Sequence, residues 1–152
     1  MAGKILAKNK QAYAEYEVMD TYEAGIKLTG PEVKSAKKGQ IRLLGSFASI
    51  RPGSAMLTLG GTHIAAYKPA ASVQVGYDPQ RSRVLLLNKK EIASLIGTLK
   101  EKRLSLVPLS FYLKSGIIKV ELGLVRGKKQ YEKRAQIKKR DIERDIGRRL
   151  KS

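Results

Sequence analysis

The chain has 152 residues, with 31 Lys and Arg against 13 Asp and Glu, a formal charge of +18, one His and no Cys. That length suffices for one packed domain, and the missing cysteines exclude disulfides, thiolate nucleophiles and thiolate zinc sites and fit a reducing compartment. So large a positive excess opposes compaction unless a polyanion neutralises it, with nucleic acid the obvious candidate. No apolar run approaches the ~18–20 residues needed to span a bilayer, and residues 1–13 hold no stretch long enough for a signal peptide. A cytoplasmic protein with no membrane partner is expected.

In chain order, residues 1–10 read as a flexible N-terminal segment. Tyr16–Leu28 is extended in character, with Glu23-Ala24-Gly25 as a bend or bulge. Pro31–Lys38 starts with Pro at a first helical position and stops before Gly39, which predicts a helix. Phe47–Arg51 and Ala55–Leu59 flank the turn residues Pro52-Gly53-Ser54 and predict a hairpin. Residues 60–80, rich in Gly, Ala, Ser and Pro, read as loop with a strand near His63–Tyr67. Val84–Leu87 is a short apolar run that reads as a buried strand. Asn88–Lys102 predicts a helix: Asn88 is a cap with Glu91 three residues on, and Ile92, Leu95, Ile96 and Leu99 recur at helical spacing. Leu104–Leu113 and Ile117–Val125 flank Lys114-Ser115-Gly116 as a second hairpin. The expected fold is mainly β, an OB-like closed antiparallel β-barrel over residues 1–125 with two or three flanking helices.

The remaining segment, 126–152, carries 12 basic and 4 acidic residues, nearly half of the excess charge in under a fifth of the length. It has one aromatic and too little apolar surface to order itself alone. Ile142, Ile146 and Leu150 would share one helical face, and Asp145 precedes Arg149 at the favourable ion-pair spacing, but Gly147 weakens the helix. A basic tail, disordered when free and helical when bound, is expected.

Catalytic chemistry finds no support. Gly123-Leu-Val-Arg-Gly127-Lys128-Lys129 has one residue too few between its glycines for a P-loop, and Lys129 stands where the metal-reaching hydroxyl belongs. His63 has no nucleophile or orienting partner in its neighbourhood, one His leaves no His-rich metal site, and the acidic residues of the body are scattered. No enzyme activity, metal or cofactor is expected. RNA binding has better material. Asn9-Lys10, Lys34, Lys37-Lys38, Arg42, Arg81, Arg83 and Lys119 are candidate phosphate ligands, and Tyr13, Tyr22, Tyr77 and Tyr131 are candidate stacking residues. For each Tyr the alternative is a half-buried strand residue with its hydroxyl at the surface.

Several strings, in order, then carry a resemblance: Thr21-Tyr-Glu-Ala-Gly-Ile26, Gly30-x-Glu-Val-Lys-Ser35, Asp78-Pro-x-Arg-x-Arg83 running into Leu85-Leu-Leu87, Leu106-Val-Pro-Leu109, Lys119-Val-Glu-Leu122 and Gly127-Lys-Lys-x-Tyr-x-Lys-Arg134. From about Asn9 to Arg140 the chain resembles the SmpB family, the small protein B of bacterial trans-translation. The resemblance implies an OB-like barrel that binds the tRNA-like domain of transfer-messenger RNA (tmRNA). It also implies delivery of that RNA, with elongation factor Tu, to stalled ribosomes by a monomer. The residues matching the family's RNA-contacting set are Asn9, Lys10, Glu23, Arg83, Leu86, Asn88 and Lys119. In the tail, Gly127, Lys128, Lys129, Tyr131, Glu132, Lys133 and Arg134 match the segment that enters the small-subunit decoding centre and the empty mRNA channel. Ile137 and Ile142 are placed for apolar contacts there.

The string departs from the family pattern at Gln11, Tyr13 and Ala14, where Arg and His are usual, at Pro31, at Lys37 in place of Arg, and at Val84 in place of Lys. Lys37 keeps the charge but loses a bidentate fork. From charge and fold alone, a general RNA-binding or ribosomal OB-type protein without tmRNA specificity is the alternative. It would bind many RNAs alike, with a steep salt dependence.

Overall fold

The structure, a computed structural model, describes residues 3–51, 56–102 and 104–127. In chain order these form β1 (Ile5–Lys8), α1 (Lys10–Glu15), β2 (Tyr16–Ile26), α2 (Gly30–Lys37), β3 (Ile41–Arg42), β4 (Phe47–Ile50), β5 (Leu57–Gly60), β6 (His63–Ile64), a 3-10 segment (Lys68–Val73), β7 (Arg83–Leu86), α3 (Lys89–Lys102), β8 (Ser105–Lys114) and β9 (Ile117–Gly127). The turn residues Pro52, Gly53 and Ser54 and everything after Gly127, including Lys128, Lys129, Tyr131, Glu132, Lys133, Arg134, Ile137 and Ile142, lie outside the described residues.

Among the described residues the fold is mainly β, with three α-helices. Seven antiparallel strands pair in the order β1-β8-β4-β5-β7-β2-β9, and β3 pairs with β6 separately. β9 pairs with β8 as well as β2, so the pairings run from β8 through β4, β5, β7, β2 and β9 back to β8. The link between β4 and β8 is narrow, Ala48 opposite Leu106, whereas β9 is paired along its length on both sides. The β8–β9 turn is the tight one that its sequence suggested: Ser115 and Gly116 both have positive φ, 52° and 78°, the geometry that matches strand twist in a two-residue hairpin.

Alternation along the strands builds the interior. Leu57, Leu59, Phe111, Val120 and Leu122 point into one cluster, which Leu95 of α3 and Ala36 of α2 help to fill. A smaller cluster of Ala12, Val107, Leu109 and Val125 lies under α1. On α3, Ile92 and Leu95 are buried while Ile96 stays 42% exposed, so the core-facing stripe is narrower than the apolar spacing suggested.

Three local expectations are corrected. Residues 5–8, read as flexible, form β1 on the free edge of β8, with Ile5 opposite Tyr112 and Lys8 opposite Ser110. The helix α1 follows at once, too short for periodicity to reveal it. The irregularity placed at Glu23-Ala24-Gly25 lies at Met19 instead: pairing to β9 is unbroken from Thr21 to Gly25, and the register shifts between Val18 and Asp20. β7 is one-sided rather than buried, because Leu85 faces the core while Leu86 is 49% exposed.

The α2 start combines two capping devices. Thr29 Oγ1 accepts from the Glu32 N–H at 3.3 Å, and Glu32 Oε1 accepts from the Thr29 N–H at 2.9 Å, with Pro31 in the first turn. Thr29→Ala removes one half of this box. It is expected to lower stability by about 1 kcal/mol in urea unfolding, with the slope of the transition unchanged.

Candidate nucleic-acid interface

Residues directly opposite one another in a sheet share a face. One crosswise row runs Leu86 on β7, Gly25 on β2, Lys119 on β9 and Tyr112 on β8. The neighbouring row runs Glu23, Glu121 and Ser110, and ends at Lys8 on β1. Ala24, Val120 and Phe111, which alternate with these positions, are wholly buried, so both rows lie on the outer face. Gly25 presents no side chain, and Leu86 packs over it.

Glu23 is the anchored group of this face. Tyr112 Oη donates to its Oε2 at 2.6 Å, and Lys114 Nζ donates to Oε1 at 3.1 Å and to Oε2 at 3.2 Å. The Tyr112 hydrogen bond, then that of Lys114, lower the carboxyl pKa from its ordinary value against a smaller desolvation, helped by the charges of Lys114 and Lys119. The carboxylate is thus an ionised acceptor flanked by cations. At the β1 end of the same row, Lys8 lies over the Tyr13 ring at 5.3 Å, and Tyr13 is 41% exposed.

Below this face a different network holds β7 in place. Glu32, on α2 and 1% exposed, accepts from Arg83 Nε at 2.8 Å and from Tyr77 Oη at 2.9 Å, and forms an ion pair with Arg81. Arg83 also donates to Tyr77 Oη and to the carbonyls of Thr62, Pro79 and Arg81. Burial alone would raise the Glu32 pKa. The hydrogen bonds from Arg81, the Thr29 N–H, Arg83 and Tyr77 outweigh that and hold it at about 2.

The residues singled out from sequence divide on this fold. Glu23, Leu86 and Lys119 meet on the outer rows. Lys10 is exposed at the start of α1, and Asn88 is exposed two residues beyond Leu86, its side chain accepting from the Glu91 N–H at 2.8 Å to cap α3. Asn9 and Arg83 do not present their side chains to solvent. Asn9 is 5% exposed, accepts from the Ala12 N–H and donates to the Pro108 carbonyl, which fixes the start of α1. Arg83 is 1% exposed, and its guanidinium donors point inward at Glu32, Tyr77 and three carbonyls. Tyr77, a stacking candidate, has its hydroxyl bound inside the same network, and Tyr22 is half-buried against the main core.

Comparison with known proteins settles the family. The family described as SmpB protein matches residues 6–152. The chain belongs to the SmpB family. It is 49% identical over 146 residues to the SsrA-binding protein of Sulfurihydrogenibium sp. (strain YO3AOP1), covering 96% of this chain and 93% of that one. It is 46% identical to the SsrA-binding proteins of Persephonella marina (99% of this chain, 97% of that one) and of Bacillus subtilis (97% and 92%). Among solved structures, a chain described under "tmRNA-SmpB: a journey to the center of the bacterial ribosome" matches with a TM-score of 0.66 and 44% identity, over 82% of this chain and 85% of that one.

The SmpB resemblance did not point to Tyr112 and Lys114 as partners of Glu23. Strand alternation in Phe111-Tyr112-Leu113 was the available signal, since it turns Tyr112 outward. Nor did it separate the buried Arg83 from the residues on the outer face. The signal there was the capping box, which brings Glu32 to a helix start with a carboxylate to spare for Arg81 and Arg83. Among the described residues no group of His, Cys, Asp or Glu is arranged to hold a metal, and no helix is long and apolar enough to cross a membrane.

Glu32→Gln leaves the buried Arg83 charge uncompensated and is expected to cost about 3–5 kcal/mol in urea unfolding at pH 7. The carboxyl pKa is depressed in the folded state, so its contribution is present above the ordinary value of 4.5 and is lost as the pH falls through about 2. The variant should therefore show a flatter stability profile than wild type across that acid range.

Proposed function

We propose that this chain binds the tRNA-like domain of tmRNA through the outer face of β7, β2, β9 and β8 and accompanies that RNA to stalled ribosomes for trans-translation, catalysing no step itself. The observation that carries this reading is the convergence of Glu23, Leu86 and Lys119, from three strands, on two adjacent outward rows of an SmpB-family chain. Lys119, with Lys10 and Lys8 at the β1 end, supplies charge for phosphates. Leu86 over Gly25 offers an apolar step for a ribose or base. Glu23 accepts from an RNA donor where a further lysine would only meet phosphate. The relatives' name, SsrA-binding protein, agrees with this ligand, SsrA RNA being tmRNA.

The cycle of strand pairings is read as an OB-like closed barrel, which forms the body and keeps the RNA-facing rows rigid. Asn9 and Arg83 serve by placing α1 and β7, and Asn88 serves at the rim beside Leu86. The tail is the second working part. From Gly127, which leaves β9 opposite Tyr16, Lys128, Lys129, Tyr131, Glu132, Lys133 and Arg134 enter the decoding centre and the empty mRNA channel. There a polycation meets rRNA phosphates and Tyr131 stacks, while Ile137 and Ile142 make apolar contacts as the tail folds on binding. The protein acts as a cytoplasmic monomer in a delivery complex with elongation factor Tu.

Glu23→Gln and Lys119→Ala are each expected to weaken binding of the tRNA-like domain about tenfold. The Lys119 variant should lower the salt slope by about one counterion, measured by fluorescence anisotropy over a salt series. Wild-type affinity in both variants, or equal competition by ordinary tRNA, would favour a general RNA-binding protein. Replacing Lys128 and Lys129 together by Ala should leave that binding near wild type and abolish peptide tagging in a reconstituted stalled-ribosome assay.

A further inference from the structure

We infer that Tyr112 is a positioning residue for RNA recognition: its hydroxyl, with the Lys114 ammonium, holds the Glu23 carboxylate as a fixed acceptor for a hydrogen-bond donor of the RNA, a ribose hydroxyl or a base amino group. The inference rests on the reading of Glu23 as an RNA contact and says how that contact is prepared.

The geometry makes the case. Tyr112 is 3% exposed, and its register partner is Lys119 on β9, not Glu23 on β2. Its hydroxyl nevertheless reaches across β9 to Glu23 Oε2 at 2.6 Å. A phenyl ring would fill the same space, so the hydroxyl adds a hydrogen bond that packing does not require. Lys114, at the mouth of the β8–β9 turn, binds both oxygens, at 3.1 and 3.2 Å.

A carboxylate offers about four lone-pair sites. Two bonds fall on Oε2 and one on Oε1, which leaves Oε1 able to accept another, on a side chain that is 39% exposed. An unrestrained Glu would lose its rotamer freedom on meeting RNA, whereas this one is already ordered. The acceptor also selects its ligand's chemistry: a phosphate oxygen is repelled, so the partner must carry O–H or N–H.

The charged and titratable groups facing Glu23 are Tyr112 and Lys114 from β8 and Lys119 and Glu121 from β9. Glu121 stands directly opposite and repels it, so the tyrosine and the two lysines keep it in place and ionised. Burial, and then the hydrogen bond to Glu23, push the Tyr112 hydroxyl well above its usual pKa, so it remains a donor at any working pH.

The test uses the full chain and the isolated tRNA-like domain of tmRNA, with dissociation constants measured from pH 7.5 down to about pH 3.5, through the range where a carboxyl held below its ordinary value of 4.5 protonates, for wild type, Tyr112→Phe, Lys114→Met and Glu23→Gln. Tyr112→Phe should weaken binding about fivefold at neutral pH with the circular dichroism spectrum unchanged. Its acid limb of binding should move to higher pH, because the bond that favours the ionised carboxylate is gone. Lys114→Met, at an exposed position, should shift that limb the same way even if the tyrosine variant folds poorly, and Glu23→Gln should weaken binding and lose the limb. Wild-type affinity and an unmoved limb in Tyr112→Phe and Lys114→Met, with Glu23→Gln still weakened, would overturn the positioning role and leave the Glu23 contact standing. Wild-type affinity in Glu23→Gln would overturn both.

Discussion

One buried carboxylate sets the geometry on which the outer face depends. Glu32 is nearly inaccessible, as is the Arg83 guanidinium beside it, and neither charge is tolerable there without the other. The pair joins the start of α2 to the first residue of β7 and, through Tyr77 and Arg81, ties down the chain that leads into that strand. With Arg83 anchored, Leu85 and Leu86 follow in register with Ile26 and Gly25, and the apolar step beside Lys119 is fixed in place. The outer face is thus aligned by a network whose central pair, Glu32 and Arg83, lies inside the fold.

The same economy of charge explains a carboxylate on a face proposed to meet a polyanion. A chain of +18 does not lack cations, and more lysine would raise affinity for any phosphate without discrimination. A restrained acceptor among those cations discriminates by the donor it requires. Restraint comes from neighbours on two other strands, so the carboxylate and the groups that hold it are parts of one hydrogen-bonded sheet.

What could be read from sequence followed how local its cause was. α2 and α3 are announced by residues within a turn of their ends: Pro31 and Gly39 for one, Asn88 and Glu91 for the other. The hairpin at Ser115-Gly116 is announced by the glycine its left-handed geometry needs. β1 was missed because its partner, β8, lies a hundred residues away and nothing in Ile5–Lys8 advertises that edge. The bulge at Met19 was misplaced for the same kind of reason: a register shift belongs to the pairing with β9, not to either strand's composition. Among site residues, Glu23, Leu86 and Lys119 came from a resemblance that turned out to match an outward face. Arg83 came from the same resemblance and from its charge, and it lies inside, because an arginine in a polar string looks the same whether a carboxylate awaits it in the core or not.

By itself, the sequence determined the class of ligand, the concentration of positive charge in residues 126–152, the family, and those helices and turns whose signals are contained within a few residues. Charge, punctuation and motif order are properties of the chain as written, and folding does not alter them. Only the tertiary structure decided which cations are exposed and which are buried in ion pairs, which strand faces meet in one row, and which neighbours hold Glu23. Each of these depends on strand register and on burial, and both are set by pairings between segments far apart in the chain, where a shift of one residue exchanges the inner face for the outer.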